Sequence, residues 1–363
     1  MANKCTLLID GNWLLISRFS VMTQLFREDQ PSIALEAATE DLRDMMAKSI
    51  NIILNRFKEI DNVVMISDGG SWRKQLPVPA QLQSITYKGN REEEVGISWD
   101  HVFNALNGLT KRCRKLGITT STQSNIEGDD WAWYWSRRLN AQGTSCIIWS
   151  SDHDLLQLVQ NKGGVFTAWY NDNHGLKFHS SLEIKNPDPD DLDFFMQPIV
   201  YNPPLVEELA KHSNKRKVGY VDPNTIITSK VITGDSGDNI KSVVRVVKSG
   251  RNYGVGEKDW EKLATKLNIH TIYDLIEHKD EIAEELLHLS KFAGYGITKD
   301  MVLEMINYNL KLVWLNESVI PETIVSVMNN QEYKQIDVDY LRGSYTVLLD
   351  DKERHIQEIF EGI

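Results

Sequence analysis

Nine carboxylates in this 363-residue chain gather where short apolar runs stop or helical ones begin. Asp10 closes Cys5 to Ile9, Asp68 follows Val63 to Ser67, and Asp152 and Asp154 follow Cys146 to Trp149 and two serines. Glu127, Asp129 and Asp130 precede a helical run carrying Trp131, Trp133, Tyr134 and Trp135, and Asp235 and Asp238 sit in Thr233 to Asn239. Each has a structural alternative: Asp152-x-Asp154 alone fits a solvated loop or an N-cap as well as a metal site, and acids in a first helical turn complement the dipole. Together they point to chemistry. Carboxylates brought close repel one another unless a cation lies between them, and an acid-only donor set favours Mg²⁺ or Mn²⁺ over zinc. Two such ions about 3.5–4 Å apart are the usual apparatus of in-line phosphodiester hydrolysis.

The elements that would position these acids are legible as alternating strands and helices. Cys5–Asp10, Val63–Asp68 and Cys146–Trp149 read as buried strands, with the last as the central one. Leu42, Met45, Met46, Ile50, Ile53, Leu54 and Phe57 recur at helical spacing, so a core-packing helix is expected over 37–60 between the first two strands. Such a βαβ unit delivers its strand-end aspartates to one edge of a parallel sheet, where open α/β folds keep their ligands. A helix is expected over 99–116, short strands over 118–122 and 165–169, and helices from Gly256 to about Leu267 and on to about Leu315, where Pro321 interrupts.

Net charge is −11, which argues against polyanion binding by the surface as a whole. Two stretches depart from it. Gly69 to Arg91 contains no acid but holds Arg73, Lys74, Lys88 and Arg91 beside Trp72 and Tyr87. Asn239 to Gly256 is likewise acid-free and holds Lys241, Arg245, Lys248 and Arg251. Basic stretches with interleaved aromatics suit phosphate pairing and base stacking, although a solvated loop is the plain alternative. Gly254-Val255-Gly256-Glu257-Lys258 opens a helix whose backbone N–H groups could hold a phosphate, but with no strand expected close before it and no third glycine it is a poor cofactor signature. Three scattered cysteines indicate neither a disulfide framework nor a zinc knuckle, and no apolar run is long enough to span a membrane. A cytoplasmic protein is expected. The Pro- and Asp-rich runs 185–193 and 197–204 read as a linker, giving an α/β core over 1–183, a linker over 184–224, a helical region over 225–320 and an acidic accessory segment over 321–363.

In order along the chain, Leu8-Ile9-Asp10-Gly11, Ser67-Asp68-Gly69, Tyr87-Lys88-Gly89-Asn90-Arg91, Glu127-Gly128-Asp129-Asp130, Ser151-Asp152-His153-Asp154 and Gly234-Asp235-Ser236-Gly237-Asp238-Asn239 resemble the motifs of the flap endonuclease/5′-nuclease family. The resemblance is closest to its phage branch, which includes 5′-exonucleases and the ribonuclease H of T-even phages. It covers roughly residues 4 to 315. It implies a three-layer α/β domain with a mostly parallel sheet, a helical arch begun near Lys88, and a helix-three-turn-helix at Gly254 to Lys258 that holds duplex DNA and a K⁺ ion. One departure is plain: Lys241 to Tyr253 separates the Asp-Asn motif from the Gly-Val-Gly turn, which in many members follow closely.

On that resemblance the expected protein is a structure-specific 5′-nuclease acting at 5′ ends, flaps or RNA primers. Asp10, Asp68, Glu127, Asp129 and Asp152 would hold one Mg²⁺, and Asp154, Asp235, Asp130 and Asp238 a second or its waters, with Mn²⁺ able to substitute. Lys88 and Arg91 would meet the phosphate under attack, and Arg73, Lys74, Tyr87, Lys241, Arg245, Gly254, Gly256 and Lys258 would contact branched DNA or an RNA/DNA duplex. A monomer working with a single-strand-binding protein or a sliding clamp is the expected setting. The rival from another class is a replication accessory protein that binds branched DNA without cutting it. A metal-dependent phosphatase would want a second aspartate two residues after Asp10, where Asn12 stands, and a small PIN-type ribonuclease would lack the 235–258 region.

Overall fold

The computed structural model describes residues 5–82, 85–90, 94–162, 164–182, 209, 218–249 and 251–349. Arg91 and most of the expected 184–224 linker lie outside them. The chain divides into two compact units, the first formed by 1–69, 94–221 and 328–363 and the second by 70–93 and 222–327.

The first unit is built on one sheet. β1 (Cys5–Asp10) lies between β2 (Ile60–Ile66) and β4 (Ser145–Trp149), with β3 (Thr119–Ser121) outside β2 and β6 (Val165–Asn171) outside β4, all parallel. β5 (Gln160–Lys162) and β7 (Gly175–His179) run antiparallel to β6, and β8 (Gly219–Val221) follows parallel to β7. Every residue of β4 is buried, as expected of a parallel strand covered on both faces. Helices α1 (Gly11–Phe19), α2 (Ser32–Arg56), α3 (Trp99–Lys115) and α4 (Gly128–Ala141) flank the sheet. α2 starts and stops earlier than its apolar spacing suggests, because the backbone leaves helical angles at Phe57 and Ile60 already belongs to β2.

Within the acidic C-terminal segment, residues 338–348 pack into the first unit. Val338, Leu341, Val347 and Leu348 are buried in the same core as β1, α2 and α3. The Arg342 guanidinium donates to the carbonyls of Leu54, Phe57, Lys58 and Ile60, so it pins the last turn of α2 and the turn that leads into β2. Charge composition alone hides this role, since the four core residues are scattered among the acids.

The second unit packs α5 (Pro223–Thr233), α6 (Glu257–Lys266), α7 (Ile272–Glu277), α8 (Lys279–Leu287) and α9 (Lys299–Val313) around a core that includes Val231, Trp260, Leu275, Leu286 and Ile306. The buried Asn309 amide donates to the carbonyls of Val231 and Lys241, tying α9 to α5 and to the turn beyond it. α5 ends on Gly234 at φ 83°, where an added Cβ would collide with the backbone of Ile240 to Ser242. The insertion before the Gly-Val-Gly turn is an antiparallel hairpin, β9 (Arg245–Lys248) and β10 (Arg251–Gly254), so a strand does precede that turn directly. From 70 to 98 the described residues form two 3₁₀ turns, Trp72–Gln75 and Ala80–Leu82, and no α-helix where the arch was expected.

Candidate functional site

In the first unit the strand register sets the acids side by side. Asp10 pairs with Ile66 across β1 and β2, and Ile9 pairs with Trp149 across β1 and β4, so Asp68 and Asp152 emerge just beyond the level of Asp10 on the same sheet edge. Two hydrogen-bonded chains hold them. Asp10 Oδ1 accepts from the Trp13 amide at 2.9 Å and Oδ2 from Ser150 Oγ at 2.7 Å; Ser150 Oγ accepts from the Asp152 amide at 3.0 Å, and Asp152 Oδ1 from the Asp154 amide at 2.8 Å. On the other side Asn12 Oδ1 accepts from the Asp68 amide at 2.9 Å, and Asp68 Oδ1 accepts from the Gly128 amide at 2.5 Å. That last bond ties Asp68 to the start of α4, where Glu127 and Asp130 form a reciprocal capping box and Asp129 sits half-buried between them. Asp130 is buried and its Oδ2 accepts from the Glu127 amide, so it is held by the helix start itself.

Electrostatics mark Asp10 as the strained member. Burial pushes its carboxyl up to about 7, helped by the nearby Asp68 and Asp152 carboxylates and opposed by the Trp13 amide and the Ser150 hydroxyl. A carboxylate that resists ionisation between two other acids is relieved by a bound cation. Among the described residues no three acidic, His or Cys side chains close around a single point. The donor chemistry nonetheless fits a hard divalent ion: Asp10, Asp68, Asp152, Asp154, Glu127 and Asp129 offer oxygens only, and each carboxylate oxygen that accepts one hydrogen bond keeps a second lone pair.

Ser150 and Asn12, which hold Asp10, Asp68 and Asp152, escaped sequence reasoning. Their signal was position: each stands within two residues of an acid at a strand end. His153 stands between Asp152 and Asp154. Its ring stacks on Trp169 with centroids 5.6 Å apart and meets His174 edge-on, while Trp169 Nε1 donates to the Asp152 carbonyl at 3.1 Å, so an aromatic wall braces that turn.

The second unit holds Asp235 and Asp238 with cations of its own. Lys230 Nζ lies 2.6 Å from Asp235 Oδ2. Burial opposes ionisation of Asp235, but Lys230 and the amides of Gly237 and Asp238 outweigh it and keep the carboxyl below its usual range. Lys88 Nζ is 3.7 Å from Asp238 Oδ2 and 5.0 Å from the Tyr87 ring centroid. The Lys88 backbone is left-handed, at φ 54°, and its amide donates to the Asp238 carbonyl at 2.8 Å. Asn239 and Asn90 add bonds to the Thr86 and Ser236 carbonyls, so the 86–90 turn is clamped to the 235–239 turn.

Two expected DNA contacts are corrected here. Arg73 is only 2% exposed; its Nε donates to the Leu312 carbonyl at 3.1 Å and its guanidinium lies over Trp72, so it is a core residue. Tyr87 is 6% exposed and its hydroxyl donates to Asp238, which leaves no open ring face for a base. Lys74, Lys258 and Gly256 are exposed, and Lys241 and Arg245 half-buried. At the Gly-Val-Gly turn the Val255 amide already donates to Ser242 Oγ at 2.8 Å, and Glu257 and Asp259 occupy the first turn of α6, so the positive end of this helix already has anionic partners. Gly254 is a packing position, since a Cβ there would meet Ser242.

Residues 5–185 match the family model of the 5′-3′ exonuclease N-terminal, resolvase-like domain. A 5′-3′ exonuclease of Buchnera aphidicola is 30% identical over 123 residues, a match that spans 33% of this chain and only 39% of that protein. A 5′-3′ exonuclease of Mycoplasmopsis pulmonis is 23% identical over 326 residues, covering 86% of this chain and 88% of the relative. Among solved structures, a phage T5 protein co-crystallised with metal ions superposes with a TM-score of 0.53 at 17% identity, over 95% of this chain and all of that one. The T5 5′-exonuclease with bound zinc gives 0.53 at 15% identity, over 89% and 96%. These structural likenesses establish the fold.

Proposed function

Because this chain belongs to the 5′-3′ exonuclease family, we propose that it is a divalent-metal-dependent nuclease that hydrolyses phosphodiester bonds at 5′ ends or flaps. The observation that carries the reading is that the strand register sets half-buried Asp10 beside Asp68 and Asp152 on one sheet edge. Asp10, Asp68, Glu127, Asp129 and Asp152, with Asp154, would hold Mg²⁺ or Mn²⁺, which when bound supplies polarisation of the phosphodiester and of water. The protein's own contribution is orientation. Ser150 and the Trp13 amide fix both oxygens of Asp10, the Gly128 amide fixes Asp68, and the Asp154 amide fixes Asp152. Such preset ligand geometry is what outer-sphere hydrogen bonds give a metal site.

The finer proposals go with it. Two ions act together, Asp235, Asp238 and Asp130 serve as further ligands or hold their waters, and Lys88 and Arg91 meet the phosphate. Branched DNA and RNA-primed duplexes are the substrates, and K⁺ sits at the Gly254–Lys258 turn. A monomer in the cytoplasm, working with a single-strand-binding protein or a sliding clamp, rests on the family resemblance alone; among the described residues no helix is long and apolar enough to cross a membrane.

The test is Asp152→Asn assayed on 5′-labelled flap, nicked and RNA-primed duplexes. With Mg²⁺ the wild type should cut and the variant should lose cleavage by at least about 10²-fold, while binding of the same substrates in chelator stays measurable. Full Mg²⁺-dependent turnover by the variant would overturn the metal reading. Binding by the wild type without cleavage under any divalent ion would leave the accessory-protein reading in its place.

A further inference from the structure

The acid-free stretch between Asn239 and Gly256 folds into a feature that the nuclease reading does not use. β9 and β10 pair antiparallel with Arg251 directly opposite Lys248 and Tyr253 directly opposite Val246. Directly opposed residues share a face, so Lys248, Arg251, Val246 and Tyr253 all lie on one side of the hairpin. Val246 is buried in the core of the second unit and roots that face, while Lys248 and Arg251 at the far end are exposed and Tyr253 is 42% exposed. Ser249, at φ 50°, takes the left-handed angle that tight hairpin turns need, which sets the two cations at the tip.

Like charges opposed across a strand pair destabilise it. Lys241 Nζ meets the neutral Asn239 side chain at 2.6 Å, and the Arg245 guanidinium meets the neutral Asn252 oxygen at 2.8 Å. Burial, and after it the neighbouring Arg245, push the Lys241 amine below its ordinary range. In a chain of net charge −11, two exposed cations, Lys248 and Arg251, on the same hairpin face as the exposed Tyr253 ring form a surface complementary to a polyanion with π-faces.

We propose that the β9–β10 hairpin is a nucleic-acid clamp in which Lys248 and Arg251 take a backbone phosphate between them and Tyr253, on the same face, stacks on an unpaired base. The proposal deepens the nuclease reading by naming a contact apart from the Gly254–Lys258 turn, and it rests on that reading for its choice of polyanion.

The test is equilibrium binding of a fluorescent 5′-flap DNA to the full chain in chelator, across a salt series. K248Q/R251Q should lower the slope of log K against log salt by about 0.9, the one phosphate that the two cations share, and raise Kd about tenfold at 0.1 M salt. Its melting temperature should hold or rise as the opposed charges go, which separates lost contact from lost fold. Tyr253→Ala should weaken binding of the flap more than of a blunt duplex. An unchanged slope in K248Q/R251Q overturns the clamp, as does a wild type that binds no DNA. So does polyglutamate competing as well as an oligonucleotide of equal charge, which would make the face an acidic-protein site. The two readings fail separately: a wild type that cuts with Mg²⁺ while the variant keeps its slope sinks the clamp alone, and a wild type that binds with the expected slope change but never cuts sinks the nuclease reading alone.

Discussion

Asp10 concentrates the chemistry of the first unit in one side chain. Its folded carboxyl titrates near 7 while the unfolded one titrates in the ordinary carboxylate range near 4. Between those values the folded state binds the proton more tightly, so this group makes stability fall as pH rises from about 4 to 7 and leaves it lowered above. Asp10→Asn carries no charge to resist. Metal-free, the variant should match the wild type at pH 3.5 and exceed it by roughly 2 kcal/mol above pH 7, a figure discounted for water at the rim. Urea midpoints at the two pH values check this. Added Mg²⁺ should stabilise the wild type and not the variant. Equal curves with and without Asp10 would mean that the acid is satisfied by Ser150 and the Trp13 amide alone.

At the scale of elements, the turn after β2 decides where Asp68 points. Gly69 donates its amide to the Ile126 carbonyl and accepts from the Asn125 amide, so it is zipped along the loop that leads into α4. A Cβ on Gly69 would overlap the Gln123 backbone. Backbone cannot step aside as a flexible side chain can, so Gly69→Ala should cost about 2 kcal/mol or more. The same change should part Asp68 from the Gly128 amide and lower cleavage, whereas Gly143→Ala, in a turn with open space around it, should cost only its left-handed strain. Denaturant midpoints for both variants check the contrast. The sequence shows only Ser67-Asp68-Gly69 after an apolar run; that this stretch is packed against residues 123–126 was not visible from it.

At the scale of the whole molecule, the acidic C-terminal segment closes the first unit. Four buried side chains, Val338, Leu341, Val347 and Leu348, at about 1.5–3 kcal/mol each, are comparable to the net stability of a typical domain. Truncation after Gln331 should therefore leave the first unit unfolded at 37 °C, with amides of β1 and β4 losing their protection from hydrogen exchange. Arg342→Ala, which strips the carbonyls at the end of α2, should cost about 1–3 kcal/mol and keep the fold. A truncated chain with native exchange protection would make the segment an accessory after all.

The sequence alone determined the parallel strands β1, β2 and β4 and where their ends lie, while β5, β7 and β8 carried no readable signal. Strands such as Cys146 to Trp149 announce themselves by composition, parallel connection sends their ends to one side, and an acid placed there needs no further information to be found. Helices α2, α3 and α6 were legible for the same reason: period and caps are local properties. Tertiary structure decided which charges face water. Arg73 reads as a surface cation until the Leu312 carbonyl, 239 positions away, takes its proton donor. Tyr87 reads as a stacking platform until Asp238 claims its hydroxyl, and the tail reads as solvated until its apolar residues find the core. The β9–β10 hairpin was hidden because its strands are short and mostly exposed, so no alternation of apolar and polar residues marks them. Local pattern specifies elements, whereas a side chain's burial and partners depend on residues that only folding brings near.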